Sequence, residues 1–306
     1  MVHNTEVESI IEVRDNGKPV LFTPVTTTEG AVFKLNASPV GTITCSVQGS
    51  KRTVNTTTGA VSAGYLNTAS NIILTILREY GKTITATDIE LNSFTALGSQ
   101  AIGLYITDRA NVLQTVQGIA KSCGLIVSVT RTGKVKLLDL AIPASSTVNI
   151  YEEDTLYNTF AISRKIDVVA AVKLGYAKTW TTQTNIQTGI PEAHKDIYAK
   201  EYDEALSFNG TIQLNYNITK EPELEGTYLI DKTEAEAVSA KKLALFSTPR
   251  KVVKMTCTTK YLSVQVGDKV SLVNFSRFNL QANTLGLVVA TKPDWVRGTI
   301  EIEVLV

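Results

Sequence analysis

Apolar residues along this chain switch between two periods, and the switches mark its elements. Residues 108–140 read DRANVLQTVQGIAKSCGLIVSVTRTGKVKLLDL. Val112, Leu113, Val116, Ile119, Ala120 and Cys123 recur at helical spacing, which predicts an amphipathic helix. Asp108 is the expected N-cap, and Gly124 stands where a left-handed closing residue belongs. The period then shortens to that of strands at residues 125–130 and 134–140, around the turn Arg131-Thr132-Gly133. Helix, hairpin and basic tip form one compact unit.

A second stripe, Ala69, Ile72, Ile73, Ile76, Leu77 and Tyr80, predicts a helix over residues 68–80 closed by Gly81. A third helix is expected over residues 232–246, where Asp231 and Glu234 have capping-box spacing and Pro249 lies just beyond. Residues 88–97 form a shorter helix candidate. Residues 8–14 and 19–25 flank Asp15-Asn16-Gly17, a hairpin turn because Asn-Gly tolerates positive φ. Further strands are expected at 31–35 and 42–47, joined through Ser38-Pro39-Val40-Gly41, and at 101–106. Residues 160–165 and 168–176 are expected to pair through Ile166-Asp167. Strands at 197–202, 211–218 and 227–230 precede four closing ones at 252–260, 269–275, 286–292 and 299–305. Residues 53–64 read as a linker, residues 142–146 as a second break, and residues 178–194 as a long polar loop.

This pattern predicts an α+β, β-rich chain. Small antiparallel β-barrel or sandwich domains would carry an inserted helix–hairpin α/β domain. The expected divisions are an N-terminal β region over residues 1–52, the α/β domain over 65–142 and a C-terminal β-barrel over 150–306 with an inserted helix at 232–246. A length of 306 residues suits two or three domains of about 100–200 residues each.

Composition narrows the function. Hydrophobic residues make up 43% and charged residues 19%, so packed cores are expected and global disorder is not. Net charge is +1, without the basic excess that nucleic-acid binding needs; Lys51-Arg52 and Arg250-Lys251 read as solvated ends of elements. The first six residues lack the basic and apolar regions of a secretory leader, and no apolar run approaches the roughly 20 residues that span a bilayer. Cys45, Cys123 and Cys257 lie far apart, an odd count without metal or redox spacing. They read as buried hydrophobes of a chain folded in reducing cytoplasm.

Candidate chemistry is thin. His3 and His194 are the two histidines. A Ser–His–Asp set would have to use His194, and no GxSxG elbow supplies its serine. Glu152-Glu153-Asp154 and the alternating Glu221, Glu223 and Glu225 are acidic enough to hold a hard cation, yet neither has calcium-loop spacing. Val266-Gly267-Asp268-Lys269-Val270 reads as turn geometry, and no phosphate-binding glycine motif occurs. Trp180, Tyr198 and Tyr202 are candidates for a carbohydrate-stacking platform, and Trp295 for a core or interface anchor. No catalytic, cofactor-binding or metal-binding residue is assigned. The residues singled out are Trp180, Thr182, Asn185, Pro191 and His194, as an interface or tip loop.

One resemblance organises these observations. The stretches GAVFKLNASPVGTITCSVQG (residues 30–49), NTASNIILTILREYG (67–81), GLYITDRANVLQTVQGIAKSCGLIVSVTRTGKVKLLDL (103–140) and the closing residues 261–306 resemble the tail-hub proteins of long-tailed bacteriophages, relatives of the trimeric baseplate hubs. The resemblance implies a homotrimeric, non-enzymatic ring at the tail tip. That ring adapts a sixfold tube to a threefold tip around the DNA channel and takes part in genome ejection. It implies as partners the distal tail or tube protein, the tape-measure protein and the tip or fibre proteins of one virion. It implies synthesis in the host cytoplasm, and no cofactor, sequence-specific nucleic acid or transmembrane segment. Only about fifty residues precede the polar linker, short for a first barrel of domain scale (~100 residues). Two alternatives remain: a receptor- or glycan-binding module with Trp180 as a contact, and a wall-degrading enzyme working near His194.

Overall fold

The computed structural model describes residues 2–3, 5–27, 30–81, 84–275, 277, 280 and 282–306. The chain divides into two compact units, each drawn from separated segments. The first comprises Met1–Cys123, Lys173–Ala205 and Leu224–Glu236, and the second Gly124–Val172, Leu206–Glu223 and Ala237–Val306.

In the first unit, Asn16 and Gly17 both take positive φ (46° and 81°), and the hairpin expected there forms between Val7–Asp15 and Lys18–Val20. Ile43–Ser50 adds antiparallel to the other edge of Val7–Asp15. Asp15 is 4% exposed, and its carboxylate accepts backbone N–H groups from Val40 (2.7 Å) and Gly41 (2.8 Å). These charge-assisted bonds pin the Ser38–Gly41 connector to the hairpin. Phe22–Thr27 and Gly30–Leu35 form a separate two-stranded hairpin, and the 53–64 stretch holds a smaller one, Thr53–Val54 with Val61–Ser62.

Helix α1 (Ala69–Tyr80) matches its apolar stripe. It buries Ala69, Ile73, Leu74 and Leu77, while Tyr80 is 57% exposed. A 3-10 turn (Ala86–Asp88) and the short α2 (Leu91–Ala96) replace the single helix expected at 88–97. Helix α3 (Val112–Ser122) begins later than expected. Asn111, not Asp108, caps it by accepting the Gln114 N–H at 3.2 Å. Val116, Ile119 and Ala120 are fully buried as α3 packs on α1. Residues 101–106 make no strand. Ala101 and Ile102 form single bridges, to Thr68 and Leu229. The 178–194 stretch is irregular only as far as Pro191, where α4 (Glu192–Ala199) begins, so residues 197–199 are helical and not strand. Pro191 supplies a fixed φ at that start.

The second unit is built on a six-stranded sheet. Its order is Val148–Tyr151, Lys269–Val273, Thr284–Asp294, Thr299–Leu305, Arg250–Cys257 and Ala161–Ile166. All neighbours are antiparallel except the first pair. Alternation decides the burial: Ile300, Ile302 and Val304 are sealed on one face, as are Val253, Met255 and Cys257 on the adjacent strand. Phe160 and Phe275 close the cluster with ring centroids 4.6 Å apart. Each fully buried aliphatic side chain contributes about 1.5–3 kcal/mol over an exposed one. The hairpin Leu125–Val129 with Val135–Asp139 turns at Gly133, φ 83°.

Five expectations in and beside this unit are corrected. Ala161–Ile166 does not pair with Ala171–Tyr176; it joins Arg250–Cys257. Ile166-Asp167 has no residue at positive φ and cannot make a two-residue hairpin turn. Residues 210–215 form α5 (Gly210–Asn215), because Asn209 caps it by accepting the Ile212 N–H at 3.2 Å. A strand stands at Leu224–Gly226 rather than 227–230 and pairs in parallel with Ala171–Tyr176. Helix α6 (Lys232–Phe246) lies where expected. Asp231 accepts the Glu234 N–H (3.0 Å), but Glu234 accepts from Ala101 N (2.7 Å) instead of closing a capping box. The β-rich α+β class holds, yet every sheet among the described residues is open. No barrel forms, because the outer strands Val148–Tyr151 and Ala161–Ile166 do not meet.

Candidate functional site

The residues singled out in the 178–194 stretch are not gathered at one point. Thr182, Asn185, Pro191 and His194 are exposed; the His194 ring lies edge-on to Tyr198, 6.3 Å between centroids. Two glutamines that the sequence did not mark hold the stretch down. Gln183 is 7% exposed; its amide donates to Thr44 Oγ1 at 2.7 Å and its backbone N–H donates to Tyr198 O at 2.9 Å. Gln187 donates its backbone N–H to Asn16 O (3.0 Å) and its amide to Asp15 O (3.3 Å). The Arg14 guanidinium lies 5.1 Å from the Tyr198 ring centroid, a cation–π contact. The stretch is therefore a strap across the first hairpin turn.

Trp180 leaves the strap for an aromatic cleft. Its ring is nearly parallel to that of Tyr228 (9°, centroids 6.3 Å apart) and edge-on to Tyr105 (6.1 Å). Tyr228 is placed by α3: its ring lies over Gly118, and its backbone N–H donates to Ser122 Oγ at 3.2 Å. Tyr202 is placed by a register pair of glycines on parallel strands, Gly175 and Gly226. A Cβ at Gly175 would stand 2.8 Å from Tyr202 Cγ, and one at Gly226 2.7 Å from its hydroxyl. Only glycine leaves room for this ring. The cleft bounded by these groups has a volume of about 190 Å³.

Two ion pairs flank the rings. Lys178 Nζ lies 4.7 Å from the Trp180 centroid and 5.1 Å from that of Tyr202, and it pairs with Glu201 at 3.1 Å. Its bond to the Tyr202 hydroxyl, aided by Glu201 and opposed by burial, holds its pKa above the ordinary lysine value. Lys121 pairs with Glu225, also at 3.1 Å. Tyr198, expected beside Trp180 and Tyr202, belongs instead to the strap; Tyr228 takes that place. The contacts with Gly118 and Ser122 of α3 hold Tyr228 there, and no local spacing marks it.

Each acidic cluster has members held by a partner. Asp154 accepts from Lys260 Nζ (2.7 Å) and the Tyr261 hydroxyl (2.8 Å), which hold its carboxyl below the usual range. Glu223 pairs with Lys220 at 2.7 Å. Among the described residues, no three His, Cys, Asp or Glu side chains converge as a metal set, and no helix is long and apolar enough to cross a membrane. At 266–270, Gly267 takes φ 91° and Asp268 accepts the Gln265 N–H at 2.8 Å, which is turn geometry.

No protein-family model matches the sequence, and comparison with curated proteins finds no match either. Among solved structures, a chain in the virion of a native gene transfer agent (GTA) particle has TM-score 0.51 and 10% identity, over 78% of this chain and 47% of that chain. The tail protein from Neisseria meningitidis MC58 has TM-score 0.45 and 11% identity, over 94% of this chain and 81% of that one. The 43 kDa tail protein of prophage MuSo2 from Shewanella oneidensis has TM-score 0.43 and 11% identity, over 100% and 88%. The likeness to the gene transfer agent chain is one of fold, and this chain spans about half that chain's length.

Proposed function

We propose that this chain is a non-enzymatic structural component of a phage-type tail, acting as a homotrimeric hub at the tail tip around the DNA channel. The observation that carries the reading is the fold shared with a chain of the gene transfer agent virion over 78% of this sequence. The resemblance of residues 30–49, 67–81, 103–140 and 261–306 to tail hubs supports it. The surface is suited to assembly. The Phe22–Thr27 hairpin has two strands and exposed apolar Leu21 (79%), and a two-stranded sheet alone is marginal in water. Open edges offer backbone groups to a neighbouring copy, and head-to-tail contacts close a ring when the rotation is right. Tube, tape-measure and tip or fibre proteins of the same particle are the further partners.

Light scattering of the purified chain tests the state: a mass three times the 33.2 kDa chain mass is expected, and a concentration-independent monomer would overturn the trimer. In this reading the exposed Thr182 and Asn185 of the strap face a neighbour, so T182R combined with N185R shifts the mass toward monomer. Peptide mass spectrometry of particles purified from the host tests the location, and their absence from every particle would refute it.

A further inference from the structure

The aromatic cleft carries a combination that packing alone does not call for. Trp180 and Tyr228 present near-parallel rings, Trp180 remains 39% exposed, and the Lys121–Glu225 pair stands at the same recess. We propose that this cleft is a saccharide-binding subsite that takes one neutral pyranose ring of a glycan. The flat C–H face of a pyranose matches an aromatic plane, which is apolar and carries negative charge on its face. Its hydroxyls donate and accept at once; Glu225 accepts, Lys121 donates, and the Tyr202 hydroxyl does either. A recess of about 190 Å³ suits one ring, being smaller than the ~300–1,000 Å³ that encloses a drug-sized ligand.

Charge separates this ligand from two others that also seek aromatic rings. A nucleotide brings a phosphate, and its affinity comes from lysines free to neutralise it. Here Lys121 faces Glu225 and Lys178 faces Glu201, so a phosphate meets a carboxylate beside each cation. An organic cation placed at these rings is repelled by the Lys178 ammonium, 4.7 Å from the Trp180 centroid and 5.1 Å from that of Tyr202. A neutral polyol brings no charge for that ammonium or for the two carboxylates to oppose.

The subsite is argued from this cleft alone, so its failure would leave the particle role standing. The test uses the full chain carrying Trp295→Phe, which leaves Trp180 as its single tryptophan. Its fluorescence is titrated with chitotetraose, with maltotetraose and with oligo(dT), and the chain is applied to an array of bacterial glycans. Saturable binding of at least one neutral saccharide is expected, with none for oligo(dT). Tyr228→Ala weakens that binding by about ten-fold, the size of one aromatic contact. Lys121→Ala, on a side chain 73% exposed, weakens it with the melting temperature unchanged, which separates lost binding from lost folding. No saturable saccharide anywhere on the array, binding indifferent to both substitutions, or binding of oligo(dT) in its place would overturn the proposal.

Discussion

Single side chains show how far burial sets chemistry in this protein. Desolvation, with a smaller push from the Asp154 charge, raises the Cys257 thiol to a pKa of about 12. The thiolate is the reactive form, so Cys257 should resist alkylation, as should the buried Cys123. Iodoacetamide at pH 8 is expected to leave both unmodified in the folded chain and to label all three cysteines after denaturation, read by peptide mass. Asp154 runs the other way. Bonds from Lys260 first, then Tyr261, depress its pKa, so its stabilisation is present above the unfolded value near 3.8 and is lost as pH falls through the lower folded value. Asp154→Asn should therefore melt below the parent at pH 7, with the gap closing under acid conditions. A gap that stays constant from pH 7 to pH 2 would contradict this. Nothing local in Glu152-Glu153-Asp154 foretells the outcome, since the partners lie more than a hundred residues onward.

Elements were legible where one periodicity sufficed. Ile300, Ile302 and Val304 alternate with Glu301 and Glu303, and that alternation alone places a half-buried strand. Ile302→Ala should cost about 2–5 kcal/mol, measured by denaturant unfolding, because the sheet closes incompletely over the cavity. Helices α1 and α3 were legible for the same reason, and α6 from the signals at its two ends, Asp231 and Pro249. Short segments were not: residues 211–218 look strand-like, and a single Asn209 cap makes residues 210–215 helical. The site was half legible. Trp180 and Tyr202 stand out as scarce aromatics, but Tyr228 depends on its contacts with α3, and the supporting Gly175–Gly226 pair on a parallel pairing between strands about fifty residues apart. The strap glutamines were invisible because their partners, Thr44 and Asn16, lie far back along the chain.

At the scale of the whole molecule, the feature hardest to foresee is that neither unit is a continuous segment. Which residues share a unit follows from long-range contacts: Ile102, 2% exposed, bridges Leu229, itself fully buried. A chain truncated after Val172 lacks the strap, the cleft and Leu229, and should show no cooperative unfolding transition by circular dichroism. A sharp transition from that fragment would mean that the first unit closes without its later segments. The same interleaving has a consequence for biosynthesis. On the ribosome, Ile102 and the hairpin at Asn16 are made long before the residues that cover them, so the nascent polypeptide carries an unfinished apolar face through more than a hundred further peptide bonds. Such a chain invites holdase chaperones, and its yield in a heterologous host should respond to their supply and to slower translation.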